Sequence, residues 1–363
     1  MGYPTLNRLV ELFMKRLIEL LEHLNLTKIA AIAALSTATL SISTSAILVR
    51  FSELEISPYA VTFHRFWLTA LVLGLWSGIN VLRRRFFRIE TRGLTTQDEA
   101  LQQTVLAESK QLDSETFAST SNFQAVWQLF AAGILIASDL ILWAWSLTQT
   151  SVANSTLLAN LTPLFTCLGG WLIWGKCLDR QLVAGGAIAI GGIIAIGLED
   201  LSFSSIKFHG DVAALLAAAS FGLYLLVLEQ LKSKFCIDEI VGWSSAIAAG
   251  LTAPIVVLSP ERLLPLSWQG CFSIVSLVII CQILGQSLLV YSLDHLSAEF
   301  VAVFLLLDPI LAAIAAWILF GEQLNRLSWL AFGVILVGIY IASTSQSADQ
   351  EIGVAIPKAQ SGI

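Results

Sequence analysis

Long apolar blocks separated by short polar ones dominate the chain. Ala30–Val49, Val126–Leu147, Ala153–Trp174, Leu182–Gly197, Val212–Leu228, Ala298–Phe320 and Trp329–Ala342 are nearly free of charge. Tyr59–Val81, Ile240–Leu258 and Phe272–Leu293 are slightly more broken. Runs of roughly 17–25 such residues match the hydrocarbon core of a bilayer. These segments are apolar nearly all round, whereas helices of a soluble bundle show one apolar face. The pattern predicts an all-α integral membrane protein with ten transmembrane helices.

Three stretches break the pattern. Over residues 1–27, Leu6, Val10, Phe13, Leu17, Leu20 and Leu24 alternate at spacings of four and three, which is one stripe of an amphipathic helix. It could lie on the cytoplasmic lipid surface, pair with another helix or be a loosely held surface helix. Residues 83–125 are rich in Thr, Gln, Ser and Glu with little apolar periodicity, and read as a disordered cytoplasmic linker. The tail, 344–363, reads the same way.

Composition strengthens this picture. The 363 residues are 56% hydrophobic and 13% charged, where a soluble domain is closer to half apolar and about a quarter charged. The net charge of −6 is spread over loops with no basic stripe, so no nucleic acid is expected. The five cysteines show no CxxC and no ligand spacing, and read as small hydrophobes. His23, His64, His209 and His295 lie far apart without a metal-binding pattern. No metal and no cofactor are expected. Lys and Arg crowd the alternate loops that include "RRRFFRIETR", while only Arg50, Lys207, Arg262 and Arg326 fall on the other side. The positive-inside rule then puts both termini in the cytoplasm of a plasma (inner) membrane protein.

The chain also repeats. In the register that places "LWAWSLTQTSVA" on "LLVYSLDHLSAE", Pro163 falls on Pro309, Trp171 on Trp317, Gly175 on Gly321, Arg180 on Arg326 and Gly192 on Gly338. The copies are 28–82 with 126–198, and 209–343, each with five helices. An odd number inverts the second copy relative to the first, a plan that recurs in secondary transporters because it gives two opposite-facing states of comparable energy.

Each copy ends in a proline-bearing helix, a turn and another helix: "NLTPLFTCLGGWLIWGKCLDRQLVAGGAIAIGGIIAIG" and "LLDPILAAIAAWILFGEQLNRLSWLAFGVILVGIYIA". With "GDVAALLAAASFGLYLLVLEQ" and "ISPYAVTFHRFWLTALVL", these resemble the EamA family of the drug/metabolite transporter superfamily. The resemblance implies a secondary transporter that moves a small organic metabolite, amino-acid-like or drug-like, by alternating access, as a proton-coupled or facilitated exporter. The family's glutamate after the glycine is Lys176 in the first copy and Glu322 in the second.

Polar groups inside apolar blocks are the candidate site. An aspartate at a helix centre costs about 2.5–3.5 kcal/mol on insertion scales, and is tolerated where it faces a cavity or partner. Asp308 and Asp139 are the candidate coupling or substrate-binding carboxylates. Arg65 could neutralise an acid, hold a substrate carboxylate or snorkel to the surface. His64, Asn160, Gln282 and Gln286 add polarity, and Trp145 and Tyr291 are candidate walls. Pro163 and Pro309 break the hydrogen-bond ladder and mark related cavity or hinge positions. Gly185, Ala189, Gly191 and Gly192 should let helices approach closely. The expected partners are a small-molecule substrate, the bilayer, protons and a second copy of the chain. A non-transporting sensor or scaffold and a membrane enzyme are the rival classes; the latter lacks the catalytic clusters it would need.

Overall fold

The computed structural model describes residues 26–91, 121–150, 152–176, 179–197, 208–258, 262–320 and 326–345. Their regular secondary structure is helical, joined by short turns. In order they form α1 (Leu26–Ser52), α2 (Pro58–Thr91), α3 (Ser121–Gln149), α4 (Val152–Ala159), α5 (Thr162–Trp174), α6 (Arg180–Gly197), α7 (Phe208–Leu231) and α8 (Ile237–Leu258). Then α9 (Trp268–Ser276) runs through a π-helical stretch, Leu277–Gly285, into α10 (Gln286–Ser292). Finally α11 (Ala298–Phe304) runs through a 3₁₀ turn, Leu305–Leu307, into α12 (Asp308–Phe320), and α13 spans Arg326–Ser343.

The apolar blocks read from the sequence fall on helix, with a break in one of them at Asn160 and Leu161. Among the described residues, 7 helices are long and apolar enough to cross a membrane, and Arg180–Ala195 and Trp329–Ser343 are shorter apolar helices. The surface carries large apolar side chains such as Leu75, Trp76, Trp127, Trp171, Leu216 and Tyr340. The interior carries Thr39, Ser43, Thr69, Ser146, Ser155 and Thr166, all buried. That inversion suits a chain solvated by lipid, where each interior hydroxyl must find a partner within the protein. Thr39 Oγ1 donates to Leu35 O (2.8 Å), Thr69 Oγ1 to Arg65 O (2.7 Å) and Ser146 Oγ to Ser155 Oγ (2.5 Å).

The linker expected over 83–125 is helical at both ends. The apolar and arginine-rich run after Asn80 contains no proline or glycine before Gly93, so nothing stops α2 short of Thr91. At the other end α3 starts at Ser121. Residues 92–120 lie outside the described residues, as do 1–25 of the expected amphipathic helix and 346–363 of the tail.

Segments aligned by the sequence register also pack in matching ways. The third helical segment, α3, packs on α7, and its counterpart, α9–α10, packs on α1. Likewise α4 and α5 pack on α7, as α12 packs on α1. The pairs α2·α8, α5·α11 and α6·α13 join counterparts directly. In the last pair Gly185, Ala189 and Gly192 meet Ala331, Ile335, Gly338 and Ala342 with no room for larger side chains. Gly191 does not share in this contact: a Cβ there would have open space.

Polar ties between connections fall into two sets. At one end Thr150 Oγ1 donates to Asp211 (2.7 Å), and Glu55 accepts from the backbone N–H groups of Leu266 (2.9 Å) and Ser267 (3.0 Å) and from the Ser267 hydroxyl. At the other end Ser345 reaches Asp179 (3.0 Å) and Lys234 reaches Gln128 (2.8 Å). The hydrogen bonds from Ser267 and Leu266 hold the Glu55 carboxyl below the ordinary glutamate range. Its contribution is therefore fully present above the unfolded pKa of about 4.3 and fades as pH falls through the lower folded value. Glu55→Gln should lower the thermal midpoint at pH 7, and the gap to wild type should close on acidification. A gap that persists unchanged at pH 3 would mean the carboxylate charge contributes nothing.

Candidate functional site

The two proline-bearing segments are interrupted where the prolines stand, and each interruption is repaired locally. Pro163 has no N–H for the Ala159 carbonyl. The Thr162 hydroxyl donates to that carbonyl instead (2.9 Å), and α4 ends there. Asn160 turns its amide back onto Thr156 O (2.8 Å). Pro309 likewise leaves Leu305 O, and the chain tightens to a 3₁₀ turn in which the Asp308 N–H reaches that carbonyl. Thr162 and Asp308 are register mates: one repairs its break with a side chain, the other with its backbone. That leaves the Asp308 carboxylate available for tertiary contact.

Its partner is α1. Ser43 Oγ lies 2.5 Å from Asp308 Oδ1 and 2.8 Å from Thr39 O. One hydroxyl carries one proton. With Asp308 ionised, Ser43 donates to it; with Asp308 protonated, the carboxyl donates to Ser43, which turns its own proton to Thr39 O.

Arg65, on α2, is buried at 8% exposure and its Nε donates to Gln282 Oε1 (2.5 Å). Gln282 belongs to the π-helical stretch. Widened turns of this kind recur at functional sites, and this one buries Cys281 and Gln282, with Gln286 buried at the start of α10. The Cys281 thiol contacts Thr44 Oγ1 (3.5 Å), and Tyr224 Oη on α7 donates to Gln286 Oε1 (3.3 Å). Arg65 lies within electrostatic reach of Asp139, Asp308, Tyr224 and Cys281. Among the described residues no carboxylate approaches the guanidinium within 4.0 Å. It instead lines a small pocket together with Val49, Glu53, Thr62, Leu140, Trp143 and Leu277 among others. Glu53 and Pro58 put the mouth beside the α1–α2 connection, and burial pushes the Glu53 carboxyl above the ordinary range.

The structure thus brings together Arg65, Asp139, Asp308, Gln282 and Gln286. Others stand apart. Trp67 Nε1 donates to His64 Nδ1 (2.8 Å), so the ring proton sits on Nε2 and is given to Leu263 O (2.6 Å). His64 ties α2 to the α8–α9 connection. Trp145 is 40% exposed on the outer surface, and the Tyr291 ring packs on His295 at 5.9 Å. Asn160 serves its own helix break.

Sequence reasoning missed a second polar cluster. Lys176, beyond the end of α5, lies 2.5 Å from Glu229 on α7 and 3.1 Å from Glu299 on α11. Burial opposes the lysine's charge, but Glu299 and then Glu229 outweigh it and hold the ammonium above the ordinary lysine range. A signal was present: "VLEQ" and "SAEF" each place a glutamate against apolar sequence, and two such acids call for a cation.

Comparison with known proteins bears on what this arrangement serves. The model of the EamA-like transporter family matches the chain twice, over residues 105–198 and 208–344. A protein of Archaeoglobus fulgidus named as an uncharacterized transporter is 23% identical over 310 residues, covering 83% of this chain and 93% of its own. The pseudopaline exporter CntI of Pseudomonas aeruginosa is 26% identical over 222 residues, covering 60% of this chain and 75% of its own. One crystal structure aligns with a TM-score of 0.66 at 17% identity, over 86% of this chain and 96% of that one. At that identity the last match speaks for the fold alone. The named relatives are transporters, not enzymes.

Proposed function

The chain belongs to the EamA-like transporter family and is a multi-pass membrane protein that moves small molecules; from that premise we propose a secondary active exporter of a small carboxylate-bearing metabolite, amino-acid-like in its charges. Ten spans in two inverted five-helix copies do the work. The paired packing of counterpart segments supports this plan, as do the two separate sets of ties, since each set joins connections that alternate crossing would bring to one side. The Lys/Arg asymmetry supports a plasma (inner) membrane orientation with both termini cytoplasmic. The word exporter in the name of the Pseudomonas relative supports the outward direction.

The observation that carries the substrate class is Arg65. A guanidinium fork matches a carboxylate in shape and charge. Here it faces a cavity while paired with a neutral amide, Gln282, rather than with an acid. Asp139 and Asp308 lie within its field and complement a substrate ammonium. A nucleotide sugar would call for several cations, and Arg65 stands here with two acids.

Proteoliposomes loaded with a mixture of labelled amino acids test the proposal. Wild-type protein should release at least one of them down a gradient. Losing a charge-assisted hydrogen bond of about 1.5–3 kcal/mol, Arg65→Gln should weaken its apparent affinity roughly 10–100-fold, while the amidated analogue is little affected. Unchanged transport of the free acid by Arg65→Gln would remove Arg65 from the site. Absence of flux for every carboxylate tried would overturn the substrate class.

A further inference from the structure

The Lys176 cluster lies outside the site just described, and its chemistry calls for an explanation. Glu229 is 5% exposed and Glu299 is 1% exposed. Two nearly buried carboxylates converge on one ammonium, and replacing such a network by apolar groups of similar size is often neutral or stabilising. A network of this kind is therefore poorly explained as a stability device.

Its construction is specific. Gly175 takes the left-handed conformation (φ 64°), the only positive φ among the described residues, and the Lys176 N–H returns to Gly170 O (3.1 Å). This turn folds the lysine back beside the end of α5. A Cβ on Gly170 would collide with the Glu299 carboxylate, so the glycine makes the space the acid occupies. Glu299 sits in the first turn of α11, where the helix N-terminus favours its negative charge. Lys232 and Asp294 lie within electrostatic reach at the same end, and burial pushes the Lys232 ammonium down to about 8.

Its position matters as much. α5 starts at the Pro163 break, and α11 ends at the 3₁₀ turn before Pro309. Both rods that carry the cluster are short and adjoin an interruption. α7 runs from the end tied by Thr150–Asp211 to Glu229 at its other end. The cavity holding Arg65 opens beside the α1–α2 connection, at the end tied by Glu55. The cluster thus closes the end opposite the open cavity.

Resting on the transporter reading above, we propose that Lys176, Glu229 and Glu299 form a closing clamp at the inner end of the path. In this state the lysine draws together the ends of α5, α7 and α11. When the inner end opens, water enters and solvates the three charges separately. The ion network is favourable closed and hydrated open, whereas an apolar plug would resist opening. The charge order is a feature of this chain, since the repeat mate of Lys176 is the acid Glu322.

Cys167 on α5 reports on the clamp, because it is partly buried and within electrostatic reach of Glu299 and Lys176. In the full chain with Cys167 as its sole cysteine, a membrane-impermeant maleimide is applied from the inner face of vesicles. Lys176→Glu places three acids together and should raise the labelling rate at least about ten-fold, since parting a buried pair shifts the closed–open balance strongly. Lys176→Gln should raise it less. Lys176→Glu combined with Glu229→Lys restores one cation between two acids and should return it toward wild type. Should Lys176→Glu fail to insert, Lys176→Gln and the charge swap decide the matter. Labelling that is indifferent to the folded variants, or unrestored by the swap, would overturn the clamp. The readout needs no substrate, so these labelling changes in a protein without flux would uphold the clamp and sink the transporter reading. A normal flux with indifferent labelling would do the reverse.

Discussion

Gly338→Leu is expected to prevent stable assembly of the protein. Helices α6 and α13 are counterparts in the repeat, and their backbones meet at glycine on both sides. A Cβ on Gly338 would sit 2.5 Å from Ala189 N, 2.6 Å from Gly185 O and 2.8 Å from Ala189 Cβ. On Gly185 it would sit 2.5 Å from Gly338 O and 2.6 Å from Ala342 N. Most of these are backbone atoms and cannot swing away as a flexible side chain could. Overpacking costs about 1–3 kcal/mol even where side chains adjust, and close approach at small residues is a main source of helix association in lipid. Either leucine should therefore force the pair apart. Gly191→Leu and Gly333→Leu are matched controls, because a Cβ at either has nothing within 4 Å. Yield of monodisperse protein in mild detergent and the thermal midpoint are the measurements. Equal losses at Gly191 and Gly338 would show that glycine content, not this interface, governs stability.

That interface was half legible in the sequence. Small residues at helical spacing advertised close approach, but not the partner helix, because a partner in lipid is chosen by shape and every neighbour is equally apolar. Gly191 was grouped with the contact and points away from it, since one residue turns a helix face by about 100°. The apolar blocks located the helices well, because in a bilayer the requirement for continuous apolar surface is strict. The linker boundaries were set too wide, because charge and polarity mark the edge of the lipid core and not the end of a helix.

The candidate site was legible as residue types and not as pairs. Asp308, Arg65, Gln282 and Gln286 stood out because each is costly in lipid without a partner. Which partner each found depends on topology. Ser43 and Gln282 lie far along the chain from Asp308 and Arg65, and one serine among several in α1 gives no local sign of its role. The π-helical stretch could not be foreseen either, since "LVIICQILG" reads as ordinary apolar helix. His64 follows a simpler rule: neighbouring side chains on a helix diverge, and His64 bonds Trp67 and Leu263 while Arg65 bonds Gln282.

Asp308→Asn is expected to abolish substrate accumulation driven by a pH gradient, while substrate exchange without a gradient persists at a weaker apparent affinity. The expectation follows from the single proton of Ser43. Ionised Asp308 draws that proton toward itself; protonated Asp308 sends it to Thr39 O. The two states therefore differ in the hydrogen-bond direction between α12 and α1, beside the 3₁₀ turn that separates α11 from α12. Arg65 lies in the field of the carboxylate, and its pull on Asp308 weakens when a substrate carboxylate occupies the guanidinium. Substrate binding and proton binding then become linked through one arginine. Asparagine donates to Ser43 from its amide, as a protonated aspartate would, but cannot release a proton. The variant should be held in the protonated arrangement, still able to pass substrate but unable to use the gradient. Proteoliposomes with an imposed pH step measure the first quantity, and counterflow at equal pH measures the second. Asp139→Asn is the comparator, because Asp139 shares the field of Arg65. If Asp308→Asn accumulates substrate as wild type does and Asp139→Asn does not, the coupling carboxylate is Asp139 and the Ser43–Asp308 bond only joins two helices.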